Sequence, residues 1–159
     1  MPMNLMGGSE APMTAKKEEL PKVLIVDDDE SVQVSLALLL KQNGFTTKTC
    51  DDPTLALSLL ERQSFDLVLL DMNFSMETSG EEGLALMHEI HRRYPSLPVL
   101  LMTAWGSISL AVKGVKAGAA DFFTKPWDNT NLMQLIHTTL SLNEKNATTR
   151  LSRQQLDTE

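Results

Sequence analysis

Cysteine is almost absent from this sequence, because the 159 residues include one, Cys50. A single cysteine excludes an intrachain disulfide and a zinc site built from several thiolates. Long hydrophobic runs are missing too, since none approaches the roughly 18 residues that a membrane-spanning helix needs. The N-terminus also lacks a charged segment followed by an apolar one, as a secretory signal would have. These absences predict a cytoplasmic protein.

Positive charge is in short supply. Lys and Arg number 14 against 21 Asp and Glu, which gives a formal net charge of −7. An acidic surface repels phosphates, so direct nucleic-acid binding is not expected. Two catalytic signatures are missing as well. No GxxxxGK[ST] phosphate loop occurs, and the three histidines fall within or on the surface of predicted helices, which leaves no Ser-His-Asp candidate.

Three segments of the chain differ in composition and in the spacing of their apolar residues. Residues 1–20 contain Gly-Gly-Ser and show no period of 2 or 3.6, which predicts a disordered leader. Residues 21–142 carry regular apolar patterning and form the predicted domain. Residues 143–159 are polar with sparse apolar positions, which fits either a helical extension or a linker.

Short apolar segments alternate with helical ones throughout the predicted domain. The predicted strands are Lys22–Val26, Phe45–Cys50, Asp66–Leu70, Leu97–Met102 and Ala120–Thr124. The predicted helices are Ser31–Asn43, Asp52–Gln63, Glu81–Tyr94, Ser107–Lys116 and Asp128–Leu142. This alternation predicts an α/β fold with a doubly wound parallel sheet, covered by helices on both faces.

Local signals place the ends of these helices. Asp29, Asp52 and Asp128 each stand where an N-cap is needed, because a short carboxylate side chain can accept from the first backbone N–H groups. Gly44 and Gly118 follow two of the helices, at the position where the chain commonly turns left-handed.

Polar residues follow four of the predicted strands: Asp27 with Asp28, then Asp71, Thr103 and Lys125. Ligand sites of open α/β sheets lie beyond the carboxyl ends of the strands, so these side chains should converge. Three carboxylates bring a charge near −3, which a divalent cation and the lysine ammonium would balance. Oxygen ligands favour Mg²⁺ over Zn²⁺.

A carboxylate beside a divalent cation can act as a nucleophile toward a phosphoryl group. Asp71 is therefore the predicted phosphoryl acceptor and itself a metal ligand. Asp27 and Asp28 are the predicted metal holders, and the backbone carbonyl of Asn73 is a further predicted ligand. The hydroxyl of Thr103 and the Lys125 ammonium would neutralise charge on the phosphoryl oxygens.

Structural roles remain open for the same residues. Asp71 can be a strand-end acid in a turn, and Thr103 can cap the following helix. Lys125 can be a surface lysine before Pro126. The predicted phosphoryl chemistry rests on all of these residues occurring together at strand ends.

Four stretches of this sequence resemble the receiver domains of two-component response regulators. They are VLIVDDDE (Val23–Glu30), DLVLLDMN (Asp66–Asn73), PVLLMTAWG (Pro98–Gly106) and AADFFTKPW (Ala119–Trp127). The resemblance covers about 120 residues, nearly everything outside the two ends. It implies a flavodoxin-like (CheY-like) sheet of order 2-1-3-4-5.

The resemblance also implies function. By motif, the acid pair, phosphoacceptor, hydroxyl and lysine of the family fall on Asp27 and Asp28, Asp71, Thr103 and Lys125. A sensor histidine kinase would supply the phosphoryl group in a Mg²⁺-dependent reaction, and the chain would catalyse only its own phosphorylation and dephosphorylation. Thr103 and Phe122 occupy the switch positions. The response would appear on the face built by the fourth helix, fifth strand and fifth helix.

The stretches LMTAWGSISLAVKGVKAGAADFFTKPWDN and LLDMNFSMETSGEEGL are similar to receivers of the NtrC type. Such a receiver precedes an AAA+ ATPase that acts on sigma-54 polymerase and then a helix-turn-helix. Neither segment is in this chain, which is therefore expected to be an isolated receiver; in a full-length protein it would regulate sigma-54-dependent transcription. A homodimer through the fourth-helix, fifth-strand and fifth-helix face, or through the C-terminal helix, is also implied.

Two positions depart from the usual family pattern. Many receivers carry Met-Pro soon after the acceptor and a glycine about eight residues beyond it, whereas this chain has Asn73-Phe74 and Gly83. The loop is therefore about four residues longer. Trp105 stands two residues after the family's hydroxyl, where receivers control water access. Asn73 and Trp105 are thus implied to modulate dephosphorylation, and the indole would slow it.

Two other functions remain as alternatives. A haloacid-dehalogenase-type phosphatase also forms an aspartyl phosphate with Mg²⁺, but it needs a second Asp two residues after the nucleophile, where this chain has Asn73. A binding-only pseudo-receiver would not need the complete set of acids, hydroxyl and lysine.

Overall fold

The five strands form one parallel sheet in the computed structural model, which describes residues 19–73, 81–104 and 107–157. The strands are β1 (Lys22–Val26), β2 (Thr46–Cys50), β3 (Leu67–Asp71), β4 (Val99–Ala104) and β5 (Asp121–Lys125). The helices are α1 (Glu30–Gln42), α2 (Pro53–Arg62), α3 (Glu81–Arg93), α4 (Ile108–Lys116) and α5 (Asn129–Asp157). The strand order β2-β1-β3-β4-β5 confirms the predicted topology.

Helices cover the sheet on both faces, and this explains why the strand sequences are apolar without alternation. In β1, Leu24 and Val26 join one buried cluster, whereas Val23 and Ile25 join the cluster on the opposite face. All four side chains are fully buried. Each side chain of this kind contributes about 1.5–3 kcal/mol relative to an exposed position, so both faces of the central strands hold the fold together.

The predicted helix caps are confirmed. The carboxylates of Asp29, Asp52 and Asp128 each accept a hydrogen bond from a backbone N–H in the first turn of the helix that follows. Gly44 and Gly118 adopt φ values of +90° and +122°, which L-residues with a side chain rarely adopt. The start and stop signals therefore act locally, before any tertiary contact is considered.

Three strands are longer at their carboxyl ends than predicted. Asp71 is the last residue of β3, Thr103 lies within β4, and Lys125 is the last residue of β5. The ladder extends through these positions because Asp71 pairs with Met102 and Thr103 with Thr124. The candidate side chains are consequently held by sheet backbone and do not begin the loops.

The last helix runs past the predicted end at Leu142 and continues to Asp157. Within the part of the chain that the structure describes, no helix combines the length and apolarity needed to cross a membrane. The predicted leader lies outside the described residues, apart from residues 19 and 20. Most of the long loop after β3, residues 74–80, lies outside them as well.

Candidate functional site

The carboxyl ends of three strands deliver charged side chains to one point. Asp27 follows β1 directly, Asp71 ends β3, and Lys125 ends β5. The Nζ of Lys125 donates to Oδ2 of Asp27 at 2.8 Å and lies 3.3 Å from Oδ1 of Asp71. Because β4 lies between β3 and β5, the lysine side chain crosses the end of that strand to reach both acids.

The two acids held by Lys125 are buried, whereas Asp28 is exposed. Asp27 is 0% exposed and Asp71 is 2% exposed. Besides the lysine, Asp27 accepts the backbone N–H of Asp29 on Oδ1 at 2.8 Å. One carboxylate oxygen from each of Asp27, Asp28 and Asp71 lies within 4.8 Å of the others. The three acids that were predicted to converge are therefore brought together.

Burial changes the acidity of the predicted acceptor. Loss of hydration, followed by repulsion from the Asp27 carboxylate, raises the pKa of Asp71 from 3.8 to about 6. The Lys125 ammonium and the backbone N–H of Asn73, which donates to Oδ1 at 3.2 Å, oppose this rise. With Lys125 as the cation between them, a second negative charge on Asp71 beside Asp27 is still unfavourable, and a bound metal ion would stabilise it.

The pKa of Lys125 is raised as well, but for a different reason. Burial by itself lowers the pKa of the Lys125 ammonium, but its hydrogen bond to Asp27 and the charges of both acids outweigh burial and leave the pKa raised. Lys125 is therefore held as a cation, one positive charge facing three carboxylates. The remaining negative charge favours a further cation at this edge of the sheet.

The residues present fit a hard divalent cation. All three side chains that can reach a shared ion are carboxylates, which Mg²⁺ prefers, and no sulfur or imidazole ligand is part of this group. The three carboxylate oxygens lie within 4.8 Å of one another, so Asp27, Asp28 and Asp71 would be able to hold one ion together. Asn73 is half-buried beside Asp71, although the use of its carbonyl as a ligand stays a prediction.

Thr103 and Phe122 occupy the next strands of the same sheet. Thr103 is fully buried, and its hydroxyl donates weakly to the carbonyls of Ala104 and Ser107, at 3.4 and 3.3 Å. Its alternative role as a helix cap is wrong, because Ser107 is the N-cap of α4. Phe122 is half-buried against the apolar cluster on the α4 side. Trp105 lies outside the described residues, so its shielding role stays a prediction.

Two features of the site were not predicted from the sequence: the contact made by Gln33 and the close packing at Gly83. The carboxamide of Gln33 in α1 donates to the carbonyl oxygen of Asp27. A polar residue on the inner side of an otherwise apolar helix stripe was the available signal. Gly83 is the second feature, since a Cβ there would lie 2.8 Å from the backbone of Met72, next to the acceptor. The glycine after the long loop is needed for close approach of α3 to the end of β3.

Known proteins are similar to this chain in sequence. The family model of the response regulator receiver domain matches residues 23–137. A putative response regulator, NtrX-like, from Rickettsia bellii is 34% identical over 135 residues, which cover 85% of this chain and 27% of that protein. Response regulator protein FleR from Pseudomonas aeruginosa is 39% identical over 115 residues, covering 72% of this chain and 24% of that protein.

A solved structure shows the same likeness in three dimensions. The N-terminal signal receiver domain of a two-component response regulator from Bacteroides fragilis superposes with a TM-score of 0.69 and 42% identity, covering 77% of this chain and 98% of that one. Against the longer relatives, the chain spans about a quarter of their length. The similarity therefore concerns one domain of those proteins.

Proposed function

The chain belongs to the response regulator receiver domains of two-component systems, and from that membership we propose that Asp71 is its phosphoacceptor. The observation that carries the proposal is the Lys125 ammonium between two buried acids, with the carboxylate of Asp28 in the same group. The arrangement supports the proposal because a carboxylate that could attack phosphorus, a fixed cation and two further carboxylates that could hold a metal lie at one sheet edge.

The proposed reaction begins at a carboxylate oxygen of Asp71. Among the described residues, the contacts from Asn73 and Lys125 both fall on Oδ1, so we assign the attack to Oδ2. A bond forms between Oδ2 and phosphorus while the bond from phosphorus to the donor breaks, and the electron pair of that bond leaves with the donor. With a histidine kinase, the donor atom is an imidazole nitrogen, which regains a proton.

Charge neutralisation by the chain favours this transfer. The Lys125 ammonium, already held between the acids, faces negative charge that develops on the phosphoryl oxygens. Among the described residues, the hydroxyl of Thr103 makes long contacts to the carbonyls of Ala104 and Ser107, so exchanging them for a phosphoryl oxygen costs little. A bound Mg²⁺ would supply Lewis-acid stabilisation of the phosphoryl oxygens, held by Asp27, Asp28, Asp71 and the carbonyl of Asn73.

Phosphorylation with acetyl phosphate and Mg²⁺ tests the proposal. We expect one phosphoryl group per chain by intact-protein mass spectrometry, located on Asp71 by peptide mapping. Asp71→Asn should abolish the modification. Asp66→Asn is the matched control, because Asp66 is an exposed aspartate immediately before the same strand, at its opposite end. Absence of labelling in folded wild-type protein would refute the assignment.

The labelling experiment, together with a phosphatase assay, separates the alternative functions. A haloacid-dehalogenase-type phosphatase would turn over p-nitrophenyl phosphate continuously, and we expect no turnover. A binding-only pseudo-receiver would remain unlabelled.

The labelled protein also tests the proposed shielding by Trp105, because Trp105→Glu should lose its phosphoryl group faster than wild type. An Asn73 substitution should change the same lifetime, and unchanged lifetimes in both variants would remove these two residues from the proposal.

The setting of the domain is part of the proposal. We place the receiver at residues 21–142, with residues 1–20 as a leader and 143–159 as a helical extension. The partner is a sensor histidine kinase, and the response on the α4-β5-α5 face is passed to an effector domain or to a second copy. The NtrX-like relatives support the NtrC-type assignment. From it we propose that the full-length protein regulates sigma-54-dependent transcription and acts in the cytoplasm.

A further inference from the structure

The carboxamide of Gln33 joins the ends of two strands beside the acid pair. Its Nε2 donates to the carbonyl oxygen of Asp27 and lies 3.4 Å from the carbonyl oxygen of Cys50, the last residue of β2. The backbone N–H of Gln33 also donates to the carbonyl of Asp29 at 3.1 Å. One residue of α1 therefore contacts both ends of the turn that carries Asp28.

A primary amide suits this position because its nitrogen carries two N–H groups and can serve two carbonyls at once. The Asp27 backbone is held from the other side as well, since its N–H donates to the Cys50 carbonyl at 3.1 Å. The packing of α1 onto the sheet is supplied by other residues, the fully or nearly buried leucines Leu36, Leu39 and Leu40. Gln33 is half-buried and contributes its polar end.

We propose that Gln33 is a positioning residue, which holds the turn between β1 and α1 so that Asp27 and Asp28 present their carboxylates together. The inference rests on the proposed function, because it concerns the site to which Mg²⁺ would bind. Gln33 touches no reacting atom and acts through the Asp27 backbone. Groups that orient metal ligands typically change metal affinity by 10- to 100-fold when they are removed.

Two measurements on the unphosphorylated protein test the proposal without using phosphoryl transfer. Gln33→Met keeps the side-chain length and removes both donors. We expect it to raise the Mg²⁺ dissociation constant about tenfold, measured by titration of amide NMR shifts. In metal-free protein, we expect faster hydrogen exchange of the Asp29 amide, which donates to Oδ1 of Asp27. Gln33→Arg retains donors, so the Asp29 amide should exchange near the wild-type rate; its added positive charge opposes Mg²⁺ binding, so only hydrogen exchange is compared for this variant.

Gln42→Met is the matched control, since Gln42 is an exposed glutamine at the end of the same helix. It should change neither quantity. If Gln33→Met does not fold, Gln33→Leu also removes the donors without adding charge, and the same two changes are expected. An unchanged Mg²⁺ dissociation constant in Gln33→Met, or equally fast exchange of the Asp29 amide in Gln33→Arg, would overturn the positioning role.

The outcomes separate this inference from the proposed function. If wild-type protein binds Mg²⁺ and accepts a phosphoryl group while Gln33→Met binds equally well, the positioning role alone fails. If wild-type protein binds no Mg²⁺ and accepts no phosphoryl group, the proposed function fails, and the role of Gln33 fails with it.

Discussion

Asp71 shows how burial prepares a single carboxyl for the proposed chemistry. Its side chain lies beside the buried Asp27, and the Lys125 ammonium compensates only one negative charge. The pKa of Asp71 in the folded protein, about 6, exceeds its ordinary value of 3.8. Between these values the folded state holds a proton that the unfolded chain has lost, so the free energy of unfolding falls as the pH rises.

Asp71→Asn should remove this pH dependence in metal-free protein. The stabilising contribution from the raised pKa is complete below about pH 4 and is lost as the pH passes 6. We therefore expect Asp71→Asn to gain about 2–3 kcal/mol relative to wild type between pH 4 and pH 7. Urea unfolding with a chelator present measures the difference at each pH.

Asp66→Asn again provides the control, because it also removes an aspartate charge while leaving the site unchanged. Its stability relative to wild type should show no comparable gain through the same interval. A constant difference between Asp71→Asn and wild type from pH 4 to pH 7 would mean that Asp71 does not carry the raised pKa.

At the scale of an element, alanine substitutions of the two positive-φ glycines after α1 and α4 separate the cost of backbone strain from the cost of overpacking. Gly44 has a φ of +90° with nothing within 4 Å of an added Cβ, whereas at Gly118 the Cβ would lie 2.4 Å from the ring of His91. We expect Gly44→Ala to cost about 1–2 kcal/mol. Gly118→Ala should cost about 1 kcal/mol more, because overpacking is added. Thermal or urea unfolding compares the two.

A double variant checks the cause. His91→Ala in the Gly118→Ala background should recover the extra loss, since the ring that meets the added methyl is gone. Equal losses in the two glycine variants, or no recovery in the double variant, would show that α4 ends independently of α3.

Element boundaries show where local signals end. Asp29 and Gly44 enclose α1 as expected, because a cap needs only residues within one turn. The carboxyl ends of β3 and β4 were placed too early, since strand length depends on a neighbour. Asp71 continues the ladder because Met102 is paired with it, and the Met72 N–H donates to the Met102 carbonyl. No property of Asp71 by itself indicates that pairing.

At the scale of the whole molecule, the site connects strands that are distant in the sequence. Asp27 and Lys125 are 98 residues apart, and their hydrogen bond joins the first strand to the last. The candidate Mg²⁺ ligands lie on β3 and in the turn after β1, so they come together only when the sheet is assembled. Mg²⁺ should therefore stabilise the folded state as a unit.

Saturating Mg²⁺ should raise the free energy of unfolding of wild-type protein. At a free concentration 100 times the dissociation constant, the expected gain is about 2.7 kcal/mol, without a change in denaturant slope. Asp28→Asn, which removes the charge of the exposed candidate ligand, should lose most of this gain, whereas Asp66→Asn should keep it. Urea titrations with and without Mg²⁺ measure the gain. Equal gains in all three proteins would indicate binding elsewhere.

Much of this protein follows from the sequence by itself. The alternation of apolar and helical segments predicts the α/β class and the caps predict the helix ends, whereas the strand order is implied by the resemblance of four stretches to receiver domains. The strand-end motifs also single out Asp27, Asp28, Asp71 and Lys125 as residues that meet, which the structure confirms. Local patterning suffices here because the ends of parallel strands share one sheet edge.

Only the tertiary structure decided the rest. Three chemically similar acids have different surroundings in the fold. Asp27 and Asp71 are buried and contact Lys125, whereas Asp28 is exposed. Gln33 acquires its contacts because α1 packs over the end of β2. Burial and hydrogen bonding depend on neighbours that are far away in the chain. A sequence pattern therefore identifies which carboxylates converge. The fold determines how exposed each of them is, which hydrogen bonds hold it, and that the pKa of Asp71 is raised.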